Sequence, residues 1–306
     1  LVSRVCLAFD TSNYTTSVAW FDGEHGENAG KLLDVPVGAL GLRQSEALFS
    51  HLKRLPEVIG MLKLKSGLEI SAVGAASKPR EDENSYMPCF LAGLSQGSSI
   101  AEALELPFCS FSHQQGHVAA AAWSAGRLDL LDTEHLAWHI SGGTTELLLV
   151  RPNGRGISCE SIGGTTDLAA GQLIDRAGGL LGLNFPAGRE LDELSRRSAS
   201  KDFFAPRVNG LGFSLSGVEN KVREYYLSTK SKEDTAYFAL RSVISAIERA
   251  TKNARERYGD LPVLFSGGVA SNLLLRGMVD GVYPEPLYAR DNAMGIAVLT
   301  HRQVFG

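Results

Sequence analysis

Cysteine is scarce in this 306-residue chain, and the four present, Cys6, Cys89, Cys109 and Cys159, lie far apart with no C-x-x-C pair. That spacing argues against a disulfide framework or a thiolate zinc site, and fits reduced thiols packed in the core of a cytosolic protein. An excess of one charge is also lacking. The net charge is -4, so a polyanion such as RNA has to be held by a local basic surface or through a second protein. No apolar run approaches the ~18 residues of a membrane span. The start Leu1-Val2-Ser3-Arg4-Val5-Cys6 enters a strand pattern at once, unlike a signal peptide. Low-complexity sequence and long linkers are absent. The chain reads as soluble and cytoplasmic, with no membrane partner.

Hydrophobic residues make up 44% of the chain and charged residues 21%, enough apolar side chain to build cores. The length exceeds the usual size of one core and favours two lobes. Of the 33 glycines, eight stand in adjacent pairs (Gly142-Gly143, Gly163-Gly164, Gly178-Gly179, Gly267-Gly268), which suggests tight turns or close backbone approach to a ligand. Two stretches share one plan, an apolar strand, a small polar turn and a second apolar strand: Val5 to Phe21 and Leu136 to Val150. A third unit, Pro262 to Gly268, leads into a helical pattern from about Ser271 to Val279. Gln44 to Leu64 carries apolar residues at helical intervals, with Pro56 expected to break it or to start a new helix. Gly93 to Leu104 and Ala236 to Arg257 also read as helices, the second with a basic face that is either solvated or a contact surface for RNA or a partner. Strands alternating with helices predict α/β lobes. We place an N-terminal lobe at 1–131, a second lobe at 132–292, and a final helix at 293–306 that returns toward the first lobe.

His113 and His117 stand four apart at the start of an alanine-rich helical run, so both imidazoles can reach one cation. A satisfied core histidine with a helix-entry histidine explains the bare pair equally well. The glutamate that follows the first histidine in H-E-x-x-H peptidases is missing, which counts against proteolysis. A third ligand is needed, and Asp291 offers a carboxylate at a loop-to-helix junction, where such a residue on its own is more often a helix N-cap. The turns Ser141-Gly142-Gly143-Thr144-Thr145 and Ser266-Gly267-Gly268-Val269-Ala270-Ser271-Asn272 follow strands, and glycines there expose backbone N–H groups that can cradle phosphate. With Asp10-Thr11-Ser12 after the first strand, these turns resemble the phosphate and adenosine loops of the actin-like ATPase and sugar kinase superfamily, in which a nucleotide cleft lies between two related lobes.

Within that superfamily the ordered motifs resemble the TsaD-type tRNA N6-adenosine threonylcarbamoyltransferases over nearly the whole chain. Phe9-Asp10-Thr11-Ser12 is similar to the family's I-E-T-S, and His113-Gln114-Gln115-Gly116-His117 to its H-x-E-G-H. Ser141 to Thr145 is similar to S-G-G-H-T. Ala169-Ala170-Gly171, Asp175 and Leu180-Leu181-Gly182-Leu183 follow its A-A-G-x-x-x-D-x-x-x-x-L-L-G-L stretch. Phe185-Pro186-Ala187-Gly188 resembles Y-P-G-G, Phe213 to Val218 resembles F-S-F-S-G-L, Gly267 to Asn272 resembles G-G-V-x-x-N, and Arg290-Asp291-Asn292 resembles T-D-N.

The resemblance implies one iron or zinc ion on His113, His117 and Asp291. It implies an adenylate or ATP-type ligand on Ser141, Gly142, Gly143, Asp175, Gly188, Asp192 and Asn272, with His139 and Ile140 at the strand end leading into that turn. His139 falls where some relatives place a metal-binding tyrosine, which makes it an optional fourth ligand or a buried strand histidine. Asp10 is the candidate catalytic residue, positioning water or the metal shell. The implied reaction moves threonylcarbamoyl from threonylcarbamoyl-adenylate to N6 of the tRNA adenosine beside the anticodon. The cation would polarise the carbonyl and backbone N–H groups would stabilise the oxyanion. Implied partners are tRNA and companion proteins of the threonylcarbamoylation machinery, one of them of related actin-like fold. Four departures stand near the implied site. Lys78-Pro79-Arg80-Glu81-Asp82-Glu83-Asn84 replaces a glycine-proline-glycine turn, Thr144 replaces a histidine, Thr166-Asp167 replaces paired aspartates, and the stretch from Asn272 to Asp291 is shortened. They keep open an alternative, a divergent metal- and nucleotide-binding paralogue that regulates, scaffolds or acts on another acceptor.

Overall fold

The computed structural model describes residues 3–12, 14–34, 42–62, 67–82 and 84–306. Leu1 and Val2, the end of the 44–64 segment (Lys63, Leu64) and Glu83 lie outside the described residues. The described chain forms two compact units. Unit 1 comprises Leu1–Thr133, Arg151–Cys159 and Asp291–Gly306; unit 2 comprises Glu134–Val150 and Glu160–Arg290.

Unit 1 runs β1 (Ser3–Asp10), β2 (Thr15–Phe21), β3 (Gly26–Leu32), α1 (Gln44–Met61), β4 (Leu68–Lys78), α2 (Phe90–Ala103), β5 (Phe108–Ser112) and α3 (His113–Ser124). Its sheet has the order β3-β2-β1-β4-β5, with β1 antiparallel to β2 and parallel to β4. Alternate β1 residues Leu7 and Phe9 pack with Val73, Ala75, Leu55, Val58 and Ala92 into one apolar cluster under α1 and α2. Pro56 does not break α1. The buried stripe Ala47, His51, Leu55 and Val58 continues past it, and both Pro56 and Leu52, whose carbonyl loses its partner, face solvent.

Unit 2 holds β6 (His135–Ile140), β7 (Thr145–Asn153), β8 (Gly156–Thr165), α4 (Ala170–Leu180), α5 (Gly188–Ser195), β9 (Val208–Asn209), β10 (Gly212–Phe213), α6 (Ser216–Thr229), α7 (Lys232–Tyr258), β11 (Val263–Ser266) and α8 (Leu273–Met278). The outer part of the β7–β8 hairpin, Arg151–Cys159, belongs to unit 1. The chain closes with α9 (Met294–Phe305), also in unit 1. The second sheet has the order β11-β6-β7-β8-β10-β9, with β6 parallel to β11 and antiparallel to β7. The run β4-β1-β2-β3 of the first sheet and β11-β6-β7-β8 of the second follow one plan, as the repeated strand-turn-strand pattern predicts. A buried cluster that includes Trp138, Leu147, Phe213, Ile244, Ile247 and Phe265 forms the unit 2 core.

The basic face of α7 is partly engaged within its own unit. Arg241 pairs with Glu248 at 2.8 Å, Arg255 faces Asp260 at 3.3 Å, and Arg249 donates to the Pro206 carbonyl. Cys6 and Cys89 are buried as expected, whereas Cys109 and Cys159 are half-buried. Burial pushes the Cys6 thiol up to about 12, with Cys109 adding to the shift, so it stays protonated. No described helix is long and apolar enough to cross a membrane.

Candidate metal centre and glycine turns

Ser112, the last residue of β5, caps α3. Its Oγ accepts the Gln115 N–H at 3.2 Å while Gln115 Oε1 accepts the Ser112 N–H at 2.7 Å, a reciprocal capping box. Gln115 Nε2 also donates to the Ile157 carbonyl at 2.6 Å, tying α3 to the hairpin segment of unit 1. The cap fixes where α3 begins, so His113 occupies the first helical position and His117 projects from the same face one turn later, with ring centroids 4.3 Å apart.

Helix α9 brings the third group. A Cβ built on Gly295 would lie 1.8 Å from the Gly116 carbonyl oxygen, so the two helices approach more closely than any side chain at that position allows. The alanines Ala119–Ala122 on α3 are fully buried and keep the helices near. The approach sets Asp291, four residues before Gly295, against both histidines. Its Oδ1 lies 3.3 Å from His117 Nε2 and 3.7 Å from His113 Nε2. Among the described residues these three form the group whose donor atoms all lie within 4.8 Å of one another.

Asp10, at the end of β1, is 1% exposed and engaged on both oxygens. Oδ1 accepts the Ser12 N–H at 2.9 Å, and Oδ2 lies 2.7 Å from His113 Nδ1. A carboxylate on Nδ1 holds a proton there and aims Nε2 at Asp291. Burial opposes a charged His113, but Asp10 and then Asp291 outweigh it and raise its pKa to about 10. Burial and the neighbouring His113 charge push His117 below its usual value. Burial works against ionisation of Asp291 too, yet the two histidines hold its carboxyl well below the usual carboxylate range.

The donor set fits a divalent cation. Two imidazole nitrogens and a carboxylate suit zinc or iron. Bonds of about 2.0–2.1 Å with tetrahedral angles separate neighbouring donors by about 3.4 Å, close to both Nε2–Oδ1 separations. The Asp291 side chain is 31% exposed, which leaves room for a further ligand.

In unit 2 the structure brings the two glycine turns to the ends of adjacent parallel strands. Ser266 on β11 is in register with His139 on β6. Gly267 has φ +87°, and a Cβ there would lie 2.3 Å from the Ile140 carbonyl oxygen. Gly142 and Gly143 are exposed and free of steric demand. The turn is pinned instead by Ser141, whose N–H donates to Thr144 O at 2.8 Å and whose Oγ accepts the Thr144 N–H at 3.1 Å. Helix α4 starts against this turn, since a Cβ on Gly171 would lie 2.5 Å from Ser141 O. Backbone N–H groups at the carboxyl ends of parallel strands are the usual ligand position of open α/β sheets.

The remaining candidates in unit 2 have structural partners. Asp175 Oδ1 accepts the Ala187 N–H at 2.9 Å, and burial pushes its carboxyl up. Gly188 opens α5. Asp192 accepts the Leu273 and Leu274 N–H groups at 3.0 and 3.3 Å, and Asn272 Oδ1 accepts the Leu275 N–H at 2.8 Å, so both cap α8. His139 is buried in β6 with Nδ1 3.1 Å from Ser266 Oγ.

The sequence gives Asp167 no role beyond a departure from pattern, yet it is a hub. Its carboxylate accepts from Ser214 Oγ, from Ser216 Oγ at 2.6 Å and from Leu215 N–H at 2.9 Å. Burial opposes its ionisation, but these bonds hold the carboxyl far below the usual range. The serines either side of Leu215, at the start of α6, are the signal that could have marked it.

Comparison with known proteins finds relatives over most of the chain. The family profile of TsaD, tRNA N6-adenosine threonylcarbamoyltransferase, matches residues 45–298. The tRNA N6-adenosine threonylcarbamoyltransferase of Oenococcus oeni is 30% identical over 248 residues, 77% of this chain and 69% of that protein. That of Streptococcus pneumoniae (strain Taiwan19F-14) is 30% identical over 294 residues, 89% of this chain and 82% of that protein. Full-length HypF in its phosphate- and nucleotide-bound form superposes with a TM-score of 0.63 at 14% identity, over 100% of this chain and 47% of that one. The chain thus spans about half the length of HypF. A ROK family glucokinase from Streptomyces griseus, in complex with glucose and AMPPNP, gives a TM-score of 0.50 at 12% identity, over 97% and 98% of the two chains. At these identities the structures show the fold alone, that of the actin-like ATPases and sugar kinases.

Proposed function

Because this chain belongs to the TsaD family of tRNA N6-adenosine threonylcarbamoyltransferases, acyltransferases acting on tRNA, we propose that it moves threonylcarbamoyl from threonylcarbamoyl-adenylate to N6 of the tRNA adenosine adjacent to the anticodon, in a metal-dependent reaction in the cytoplasm. The observation that carries the metal dependence is the convergence of His113, His117 and Asp291 within 4.8 Å, with Asp10 2.7 Å from His113 Nδ1.

In this reading His113, His117 and Asp291 hold one iron or zinc ion, which when bound polarises an oxygen of the acyl donor. Asp10 acts as a positioning residue that holds a proton of His113 on Nδ1, so that Nε2 is the nitrogen aimed at the ion. The Ser141 and Gly267 turns present backbone N–H groups to the adenylate, where they offset negative charge developing at the leaving phosphate or the attacked carbonyl. Asp175, Gly188, Asp192 and Asn272 shape the adenylate loops around them. The adenosine amine attacks the carbamoyl carbon, the carbon–oxygen bond to phosphate breaks, and AMP leaves with that electron pair. The amine proton passes to a phosphate oxygen or to water, so no covalent nucleophile is required. Companion proteins, including one of related actin-like fold, would supply the adenylate and complete the acceptor site.

A second reading, the same chemistry directed at another acceptor or used for regulation, draws on the run 78–84. Pro79 O accepts the Gln114 N–H at 3.0 Å, so this rebuilt loop rests directly on the metal helix, and Glu81 reaches the Cys159 N–H at 2.6 Å. The test is transfer by the purified chain with family companion proteins, threonylcarbamoyl-adenylate and unmodified tRNA. Formation of threonylcarbamoyladenosine supports the first reading. Binding of metal and AMP by a folded protein with no transfer supports the second.

A further inference from the structure

The N-cap of α9, Ala293, has no side-chain oxygen to bond the first turn of its helix. Asn292 Oδ1 serves the Met294 N–H at 3.0 Å, and the Ala293 N–H goes to two strand residues of the same unit. Ser17 Oγ on β2 accepts it at 3.0 Å, and Asn28 Oδ1 on β3 accepts it at 2.9 Å. Ser17 Oγ in turn donates to Asn28 Oδ1 at 2.9 Å, so the three groups bond one another. The Asn28 amide must present its oxygen here, because a backbone N–H can only donate. Met294 follows directly, and a Cβ on Gly26 of β3 would lie 2.8 Å from its Cε. Strands β2 and β3 therefore hold the start of α9.

Two observations tie this clamp to the metal centre. Asp291 stands two residues before Ala293, so the backbone that carries its carboxylate is anchored there. Ser17 faces Asp10 in the β1–β2 register, and the side chains of such a pair lie on one face of the sheet. One pair of facing residues thus serves both arms of the site. Asp10 holds His113 at 2.7 Å. Ser17, with Asn28, holds the connection that brings Asp291 Oδ1 to 3.3 Å from His117 Nε2 and 3.7 Å from His113 Nε2. A carboxylate on a connecting segment has backbone freedom to lose before it binds an ion, and losing that freedom on folding raises affinity. We propose that Ser17 and Asn28 are positioning residues of the metal centre, fixing Ala293 and through it the reach of Asp291 toward the two histidines. The proposal rests on the metal reading of the preceding subsection and adds the residues that preorganise its third ligand.

The test measures zinc affinity by chelator competition, the absorption spectrum of the cobalt(II)-loaded protein and the thermal midpoint. It compares wild type with Ser17→Ala, Asn28→Leu, Asn28→Asp and Asp291→Ala, at a temperature where circular dichroism shows each folded. Ser17→Ala and Asn28→Leu are expected to bind zinc about ten- to a hundredfold more weakly, as loss of an outer-shell partner does. The cobalt spectrum of Asn28→Leu should move toward that of Asp291→Ala. Asn28→Asp keeps an acceptor oxygen for the Ala293 N–H and should bind zinc at least as tightly as wild type. In the Asp291→Ala background, Asn28→Leu should cost no further affinity, because the clamp acts through that carboxylate. A lower thermal midpoint with zinc affinity unchanged in both Ser17→Ala and Asn28→Leu overturns the proposal. So does full additivity of Asn28→Leu with Asp291→Ala, or an Asn28→Asp protein as weak as Asn28→Leu. A folded wild type that takes up neither zinc nor ferrous iron removes the metal reading together with this one, whereas metal binding indifferent to Ser17 and Asn28 removes only the clamp.

Discussion

At the scale of single residues the site turns on Asp10 and His113, 103 positions apart and joined at 2.7 Å. Metal and proton compete for His113 Nε2. With its pKa raised to about 10, each ion bound at neutral pH must displace a proton, so metal affinity should climb with pH toward that value. Chelator competition between about pH 6.5 and 9 measures the climb. In Asp10→Asn the climb should end at lower pH, because the charge that raises His113 is gone. The plateau affinity should also fall about ten- to a hundredfold, because the ring loses its orienting carboxylate. A flat profile in wild type would contradict the assignment of His113. Stability of the metal-free protein should run the opposite way. A raised histidine stabilises fully below its unfolded value of 6.5 and loses that contribution as pH rises toward 10, so thermal midpoints of metal-stripped protein should decline across that range. Asp167 makes a separate prediction. Asp167→Ala frees Ser214, Leu215 and Ser216 at the start of α6 and should cost about 1–2 kcal/mol in denaturant unfolding, as loss of a helix cap does.

At the scale of elements, close approaches at Gly295 and Gly171 set where α3 meets α9 and where α4 meets the Ser141 turn. Gly295→Ala puts a Cβ 1.8 Å from the Gly116 carbonyl. The gain of about 1 kcal/mol in helix propensity cannot offset that overlap, and a net loss of about 1–3 kcal/mol with lower metal stoichiometry is expected. Gly171→Ala, whose Cβ would lie 2.5 Å from Ser141 O, should instead weaken AMP binding while metal content holds. Calorimetry and metal analysis on the two variants separate the centres, and loss of both functions in either variant would argue against that separation. These contacts were not legible in the sequence, because a glycine in a helix shows no partner until the second helix is placed. The i, i+4 histidines were legible because α3 carries both on one face. Asp291 was a candidate from its loop-to-helix position, but it lies 174 positions after His117, and only the resemblance joined it to the pair. Pro56 misled because its solvent position in α1 is invisible to a local rule. Helix α6 left no stripe to read, as it buries only Val218 and Val222.

At the scale of the whole chain, the repeated strand-turn-strand pattern was enough to anticipate two sheets of one plan, because β1, β2, β6 and β7 are long, buried and nearly continuous in apolar residues. The two-residue strands β9 and β10 carry too little pattern to be seen; β10 forms on the edge that β8 offers, and β9 pairs with β10. The segment Arg151–Cys159, inside the range expected for the second lobe, groups with unit 1, where Gln115 and Glu81 bind its backbone. Composition named no acceptor, since a chain of net charge -4 advertises no RNA surface, and the acceptor rests on family membership. The most direct test of the whole account is metal stoichiometry and single-turnover transfer to tRNA, measured side by side for wild type and His117→Ala at equal folded concentration. The account predicts one ion per wild-type chain with threonylcarbamoyladenosine formed, and a folded variant that has lost both. A His117→Ala protein that keeps its metal and transfers at the wild-type rate would contradict it.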